Sequence, residues 1–175
     1  MQQPTQTRPG IVTCPGCGVV LADRRLGLHE RYHATGECWQ LCGELSAYHL
    51  SIPDTTFIHQ LVTDVYGAQH SGGITKNITT AFSLIGLYLT LEQGYSGWQV
   101  QQAHMALAAQ RKEWPRLEPP PQTGRLNVLD VLLADEGRDR EERLWEWARE
   151  VWQSWQQRHE WVKTTVRQML QISIP

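Results

Sequence analysis

A chain of 175 residues with 41% hydrophobic residues carries enough apolar mass for one ordinary domain with a buried core, which excludes collagen, a coiled-coil rod and a disordered tail. Sixteen Lys and Arg against eighteen Asp and Glu leave a formal charge of −2, so no global positive field draws in nucleic acid or anionic lipid. The unusual features are eight Trp beside two Phe, and four Cys confined to the first quarter of the chain.

Residues 1–10 are polar and read as a flexible tail, without the apolar core of a signal peptide. The longest apolar stretch, Ala81 to Leu91, is interrupted by Ser83, Gly86 and Thr90 and falls short of the roughly 20 residues a membrane span needs. A cytoplasmic location without membrane attachment is expected, and in a reducing compartment clustered cysteines are metal ligands more often than disulfides.

The first element in chain order is Cys14-Pro15-Gly16-Cys17-Gly18, which has the form of a zinc knuckle: two thiolates two residues apart on a tight turn, with glycines where a side chain would be forbidden. Zinc takes four tetrahedral sulfur or nitrogen donors, so two more are needed, and three sets compete. Cys38 and Cys42, four apart on one helix face, complete a four-cysteine site, although Cys42 also reads as a small core residue. His29 and His33 instead give CxxC, eleven residues, HxxxH, similar to a nucleic-acid-binding finger but one residue short in the spacer and with no Phe at the hydrophobic position. A mixed site combines Cys14, Cys17 and Cys38 with one histidine, and His59 or His70 can supply it from far along the chain. Thiolate-rich sites are usually closed, which points to a structural ion.

From Thr35 onward the apolar spacing is helical. Thr35 caps a first helix ending near Ser51-Ile52-Pro53; a second follows Asp54, with Ile58, Leu61, Val62, Val65, Tyr66 and Gln69 in one stripe. A third, Thr75 to Gln93, is apolar nearly all round and therefore central, and Ser96-Gly97-Trp98-Gln99 opens a fourth as a capping box, running to about Lys112. Residues 115–124, with three consecutive prolines, form a stiff extended connection before a short helix capped by Asn127. The last element, Asp139 to Ile172, reads as one long helix with Trp145, Ala148, Trp152, Trp155, His159, Val162 and Val166 on one side, and five of the eight tryptophans lie on it. It forms an apolar lid over the others, or exposes some indoles to a partner. The run Arg138 to Arg143 alternates in sign and reads as a solvated helix start. The expected fold is all-α: residues 11–175 as a single zinc-binding bundle of five or six helices with the knuckle at its N-terminus.

Eleven residues are almost three helical turns, so His59 and His70 share an edge of the second helix but stand about 16 Å apart and cannot hold one ion together. His159 faces inward and can meet either of them across a helix interface; Asp64 can orient a histidine from another helix. Five polar groups, His59, Asp64, Tyr66, Gln69 and His70, beside one apolar stripe require buried partners and predict a polar pocket. His49 and His104 read as ordinary surface or edge residues.

Cys14-Pro15-Gly16-Cys17-Gly18, Gly36-Glu37-Cys38-Trp39, the run His59 to His70, Leu84 to Glu92 and Trp147 to His159 together resemble a bacterial family known only as a domain of unknown function. The resemblance covers nearly the whole chain. It implies a small domain with an N-terminal CPxCG motif and a helix bearing HxxxxDxYxxQH, matched here at Cys14, Cys17, Cys38, His59, Asp64, Tyr66, Gln69 and His70, and it implies no activity. His33 and Cys42 match more loosely, and a histidine the family often has near Phe82 or Ser83 is missing.

Two functional readings follow. One is a binding module for a protein or small molecule, with a structural zinc and no particular oligomeric state. The other is a metal-dependent hydrolase or transferase using His59, His70 and His159, with Asp64, around an open metal position. A nucleic-acid-binding finger comes third, against the net charge. No nucleophile elbow, phosphate-binding glycine loop or dinucleotide fingerprint is present.

Overall fold

The CPxCG turn closes a β-hairpin. In the computed structural model, which describes residues 10–170, Ile11–Thr13 (β1) pairs antiparallel with Val20–Ala22 (β2), with Val12 opposite Leu21. The expected all-α fold is thus corrected by a short two-stranded sheet: three-residue strands are too brief to show an alternation in sequence. Of the expected flexible tail, residues 1–9 lie outside the described residues, as do residues 171–175 at the other end.

Seven α-helices follow among the described residues: Gly36–Ser51 (α1), His59–Gln69 (α2), Asn77–Leu91 (α3), Gly97–Gln110 (α4), Val128–Leu133 (α5), Arg138–Ser154 (α6) and His159–Leu170 (α7). The three sequence-read caps form. Thr35 Oγ1 accepts from the Cys38 N–H at 3.2 Å, Ser96 and Gln99 exchange capping-box bonds, and Asn127 Oδ1 accepts from the Leu129 N–H at 2.9 Å. Asp54 does not start α2; its carboxylate accepts from the N–H groups of Thr56 and Ile58 and builds a turn instead, so α2 begins at His59, four residues later than a start directly after Asp54.

Helix α2 runs through the middle, packed against α1, α3, α4 and α6. It is buried almost all round, from Gln60 to Gln69 with the exception of Thr63, rather than along the one stripe its periodicity predicts. Glycine makes its contact with α3 close: a Cβ at Gly67 would strike Ser83 Oγ, and one at Gly86 would strike Asp64.

The final long helix is broken. Helix α6 stops at Ser154, a single 3-10 turn spans Gln156–Arg158, and α7 restarts at His159, whose Nε2–H donates to the Trp152 carbonyl at 2.9 Å. The break turns the chain so that α6 packs on α2, α3 and α5 while α7 packs on α3 and α4. The buried stripe of α6 is also shifted: Leu144, Trp147, Ala148, Val151 and Trp152 are buried and Trp145 is only half-buried. No helix among the described residues is long and apolar enough to cross a membrane.

Candidate metal centre

Four donor atoms, from Cys14, Cys17, Cys38 and His70, all lie within 4.8 Å of one another and can hold a metal ion. They come from three separate segments: the hairpin turn, the first turn of α1, and the residue that caps the C-terminus of α2. Within the turn, the Cys14 N–H donates to the Val19 carbonyl and the Gly18 N–H donates to the Cys14 carbonyl, both at 2.9 Å, which folds the two thiols toward one side. Gly18 takes φ +76, and at Gly16 a Cβ would lie 2.5 Å from the His33 carbonyl and 2.6 Å from His70 Cδ2. Only glycine lets the turn approach His70 this closely.

Cys17 Sγ stands 3.8 Å from Cys38 Sγ, and Cys38 Sγ stands 3.4 Å from His70 Nε2. His70 Nδ1 lies 2.9 Å from the Tyr66 carbonyl, which can only accept, so Nδ1 carries the proton and Nε2 presents its lone pair to the thiols. The same residues support the ring: Tyr66 stacks on His70 with centroids 3.9 Å apart, and the Tyr66 hydroxyl donates to Cys38 Sγ at 3.5 Å. The His70 carbonyl accepts from the His33 N–H at 3.0 Å and from Thr75 Oγ1 at 2.9 Å.

Three thiols this close cannot ionise equally. Hydrogen bonds from Cys17 and Cys38 hold Cys14 far below the ordinary thiol range. The same contacts push Cys17 up to about 12 and Cys38 above the ordinary range, so those two thiols hold their protons more firmly than Cys14 does. A cation that replaces both protons relieves that conflict.

The other candidates lie elsewhere. Cys42 is buried in the core, its thiol pushed up to about 12 by burial, and stays outside the cluster. The finger arrangement of Cys14, Cys17, His29 and His33 does not assemble. His29 Nδ1 accepts from the Arg31 and Tyr32 N–H groups and its ring leans on Trp39, while the His33 ring lies over Gly73. His59 opens α2, at the opposite end from His70, with its ring edge against Phe57. His159 stacks on Trp152, centroids 3.7 Å apart, and meets neither His59 nor His70. Of the two histidines read as surface or edge residues, His104 is half-buried, stacks on Phe82 and donates to its carbonyl, whereas His49 is buried with both ring nitrogens unpartnered. Burial pushes each of them down to about 4. Their helices pack on both sides, which single-face spacing does not show.

Gln69 does what the sequence expected of a buried polar group. Its Nε2 donates to the carbonyls of Thr123 and Leu126, its Oε1 accepts from Trp147 Nε1–H at 3.0 Å, and Thr123 Oγ1 donates to the Gly16 carbonyl at 3.2 Å. The proline-rich connection is thereby tied to the metal-site turn.

Asp64 is buried against Gly86, with Gln60 Nε2 donating to Oδ1 at 3.1 Å and Oδ2 without a partner. Burial raises its carboxyl well above the ordinary range. A raised folded pKa contributes stability that is complete below the unfolded value of about 3.9 and is lost at about 1.4 kcal/mol per pH unit as pH rises toward the folded value. Asp64→Asn keeps the Gln60 bond and removes the titration. With both proteins held metal-free by chelator, the variant is therefore expected to melt above the parent at pH 8 and level with it near pH 4; parallel profiles across that range would disprove a neutral Asp64.

The chain belongs to a family of unknown function (DUF5946), whose model matches residues 12–156. No curated protein and no solved structure matches it.

Proposed function

We propose that this member of a family without an assigned activity holds one zinc ion on Cys14, Cys17, Cys38 and His70, as a structural clasp within a binding module. The carrying observation is that three sulfurs and one imidazole nitrogen from three separate chain segments converge within 4.8 Å. With Zn–S of about 2.3 Å and Zn–N of about 2.05 Å, a tetrahedron has S–S edges of about 3.8 Å and S–N edges of about 3.6 Å. The Cys17–Cys38 and Cys38–His70 separations of 3.8 and 3.4 Å are close to those edges, and every other pair lies within 4.8 Å. Four protein donors close the coordination sphere, which supports a structural role and leaves no position for a reacting water. The ion would join the hairpin to α1 and α2. Binding then falls to the surface clefts, one of about 320 Å³ beside the start of α4 and one of about 350 Å³ between the CPxCG turn and the proline-rich segment.

Elemental analysis of the intact protein is expected to find one zinc per chain, and none in a Cys14→Ser, Cys17→Ser variant. Metal retained by the variant would place the ion elsewhere. Loading must displace the protons of Cys17 and Cys38, so apparent affinity, read by competition with a chromophoric chelator, is expected to rise about 100-fold per pH unit between pH 7 and 8. A rise of tenfold or less contradicts the two-proton exchange.

A further inference from the structure

The alternating charge run at the start of α6 is not uniformly solvated. Arg138 pairs with Glu142 at 2.7 Å, Arg140 with Glu136 at 3.5 Å and Arg143 with Glu146 at 2.8 Å. Glu141 joins no ion pair among the described residues and lines the cleft of about 320 Å³, together with the aromatic residues Phe57, Tyr95 and Trp145. No Lys, Arg or His lines that cleft, so Glu141 carries its one formal charge.

The aromatic wall is built at a local cost. Phe57 has φ +58, a left-handed conformation that bulky residues rarely occupy and that tends to mark ligand-binding or active sites. The Gly97 N–H donates to the Thr56 carbonyl at 2.7 Å, and a Cβ at Gly97 would collide with the Phe57 carbonyl, so α4 presses directly on the strained loop. The Phe57 ring is thereby stacked on Trp98, with centroids 4.2 Å apart and planes 17° from parallel, although Trp98 is 50% exposed. The N-terminus of α4 also borders the cleft, but its Ser96 and Gln99 N–H groups are taken by the capping box and that of Gly97 by the Thr56 carbonyl.

Aromatic faces with one unpaired carboxylate and no basic group suit a cation whose charge is spread over an apolar shell. We propose that this cleft binds a small organic ammonium ion, a quaternary or methylated amine, with Phe57, Tyr95 and Trp145 around the alkyl groups and Glu141 as counter-ion. The volume is at the small end of ligand sites and holds one such molecule. The inference rests on the reading of this chain as a binding module and adds the ligand class.

The test titrates the full metal-loaded chain with choline, with its uncharged isostere 3,3-dimethylbutan-1-ol, and with the anion pivalate, following the Trp145 and Trp98 indole N–H resonances. Choline is expected to shift them saturably, the isostere to bind about tenfold or more weakly, and pivalate to leave them unmoved. Glu141→Gln is expected to weaken choline binding several-fold and Trp145→Leu to abolish saturation, with the Tm of both variants close to that of the parent. Equal binding of isostere and choline, preference for pivalate, or no shift with choline overturns the proposal. Metal content measured on the same samples reports separately on the clasp, so a failure of the zinc reading is distinguishable from a failure of the cleft.

Discussion

Replacing Cys38 by alanine is expected to abolish metal loading and to lower Tm by about 10 °C or more, whereas Cys42→Ala, one turn further along the same helix, is expected to lower it by a few degrees. Both side chains are buried and both substitutions remove one sulfur. Cys42 contributes packing alone, which places its loss at about 1–2 kcal/mol. Cys38 sits where the segments meet: Cys17 of the hairpin at 3.8 Å, His70 of α2 at 3.4 Å, and the Tyr66 hydroxyl at 3.5 Å. With one ligand gone, the remaining donors no longer form a tetrahedron, and the hairpin loses the proposed metal cross-link to α1 and α2. Structural zinc contributes about 10–16 kcal/mol to small folded peptides at neutral pH, comparable to the whole stability of a typical domain. Part of that remains covered here by the helical core, so about 4 kcal/mol or more is expected to show, and each kcal/mol moves Tm by roughly 2–4 °C at this size. A chelator should bring the parent down to the melting point of Cys38→Ala and leave the variant unchanged. Equal melting of the two alanine variants, or a parent indifferent to chelator, would remove the metal from the account of stability.

What could be read from the sequence is what is decided locally. Thr35, Ser96 and Asn127 cap their helices because each satisfies an N–H two or three residues away, a bond that no distant contact needs to arrange. The CPxCG turn is equally local, and Cys14 and Cys17 lie together as that spacing requires. The choice of partner for them is not local. Cys42, His29, His33, His59 and His70 were all open as the fourth donor, and it is His70 that meets the three sulfurs, because α2 crosses the bundle and ends beside the hairpin. Chemistry in the sequence bearing on this was indirect: His70 follows Gln69, whose amide must be satisfied inside, and that burial carries the helix end inward. The break after Ser154 had no signal, since Trp155-Gln156-Gln157-Arg158 contains neither Gly nor Pro; the turn is set by where α7 packs on α3 and α4. The same tertiary packing shifts the buried face of α6 from Trp145 toward Trp147, and the freed Trp145 becomes part of the cleft that Glu141 lines.

Trp147→Ala is expected to cost about 4–8 kcal/mol in denaturant unfolding, and to speed metal release although Trp147 supplies no metal donor. The indole is fully buried, and truncating a buried Trp costs about 3–5 kcal/mol in lost contacts and residual cavity. A further 1–3 kcal/mol arises because Gln69 Oε1 loses the Trp147 N–H and stays buried without a partner. The kinetic effect follows from the chain of bonds beyond it. Gln69 holds the Thr123 and Leu126 carbonyls, Thr123 Oγ1 holds the Gly16 carbonyl, and Gly16 lies between the two cysteines of the turn. Gln69 is also the residue before His70, so a displaced amide disturbs both sides of the centre at once. Trp147→Phe separates the contributions: it keeps most of the apolar volume, loses the donor, and is expected to cost about 2 kcal/mol. Combined with Gln69→Leu, which removes the orphaned acceptor together with the two bonds to the connection, its effect on metal release should be clearly less than additive, because both substitutions cut the same path. Strict additivity in a chelator-driven release assay would show that the metal site does not depend on this chain of bonds.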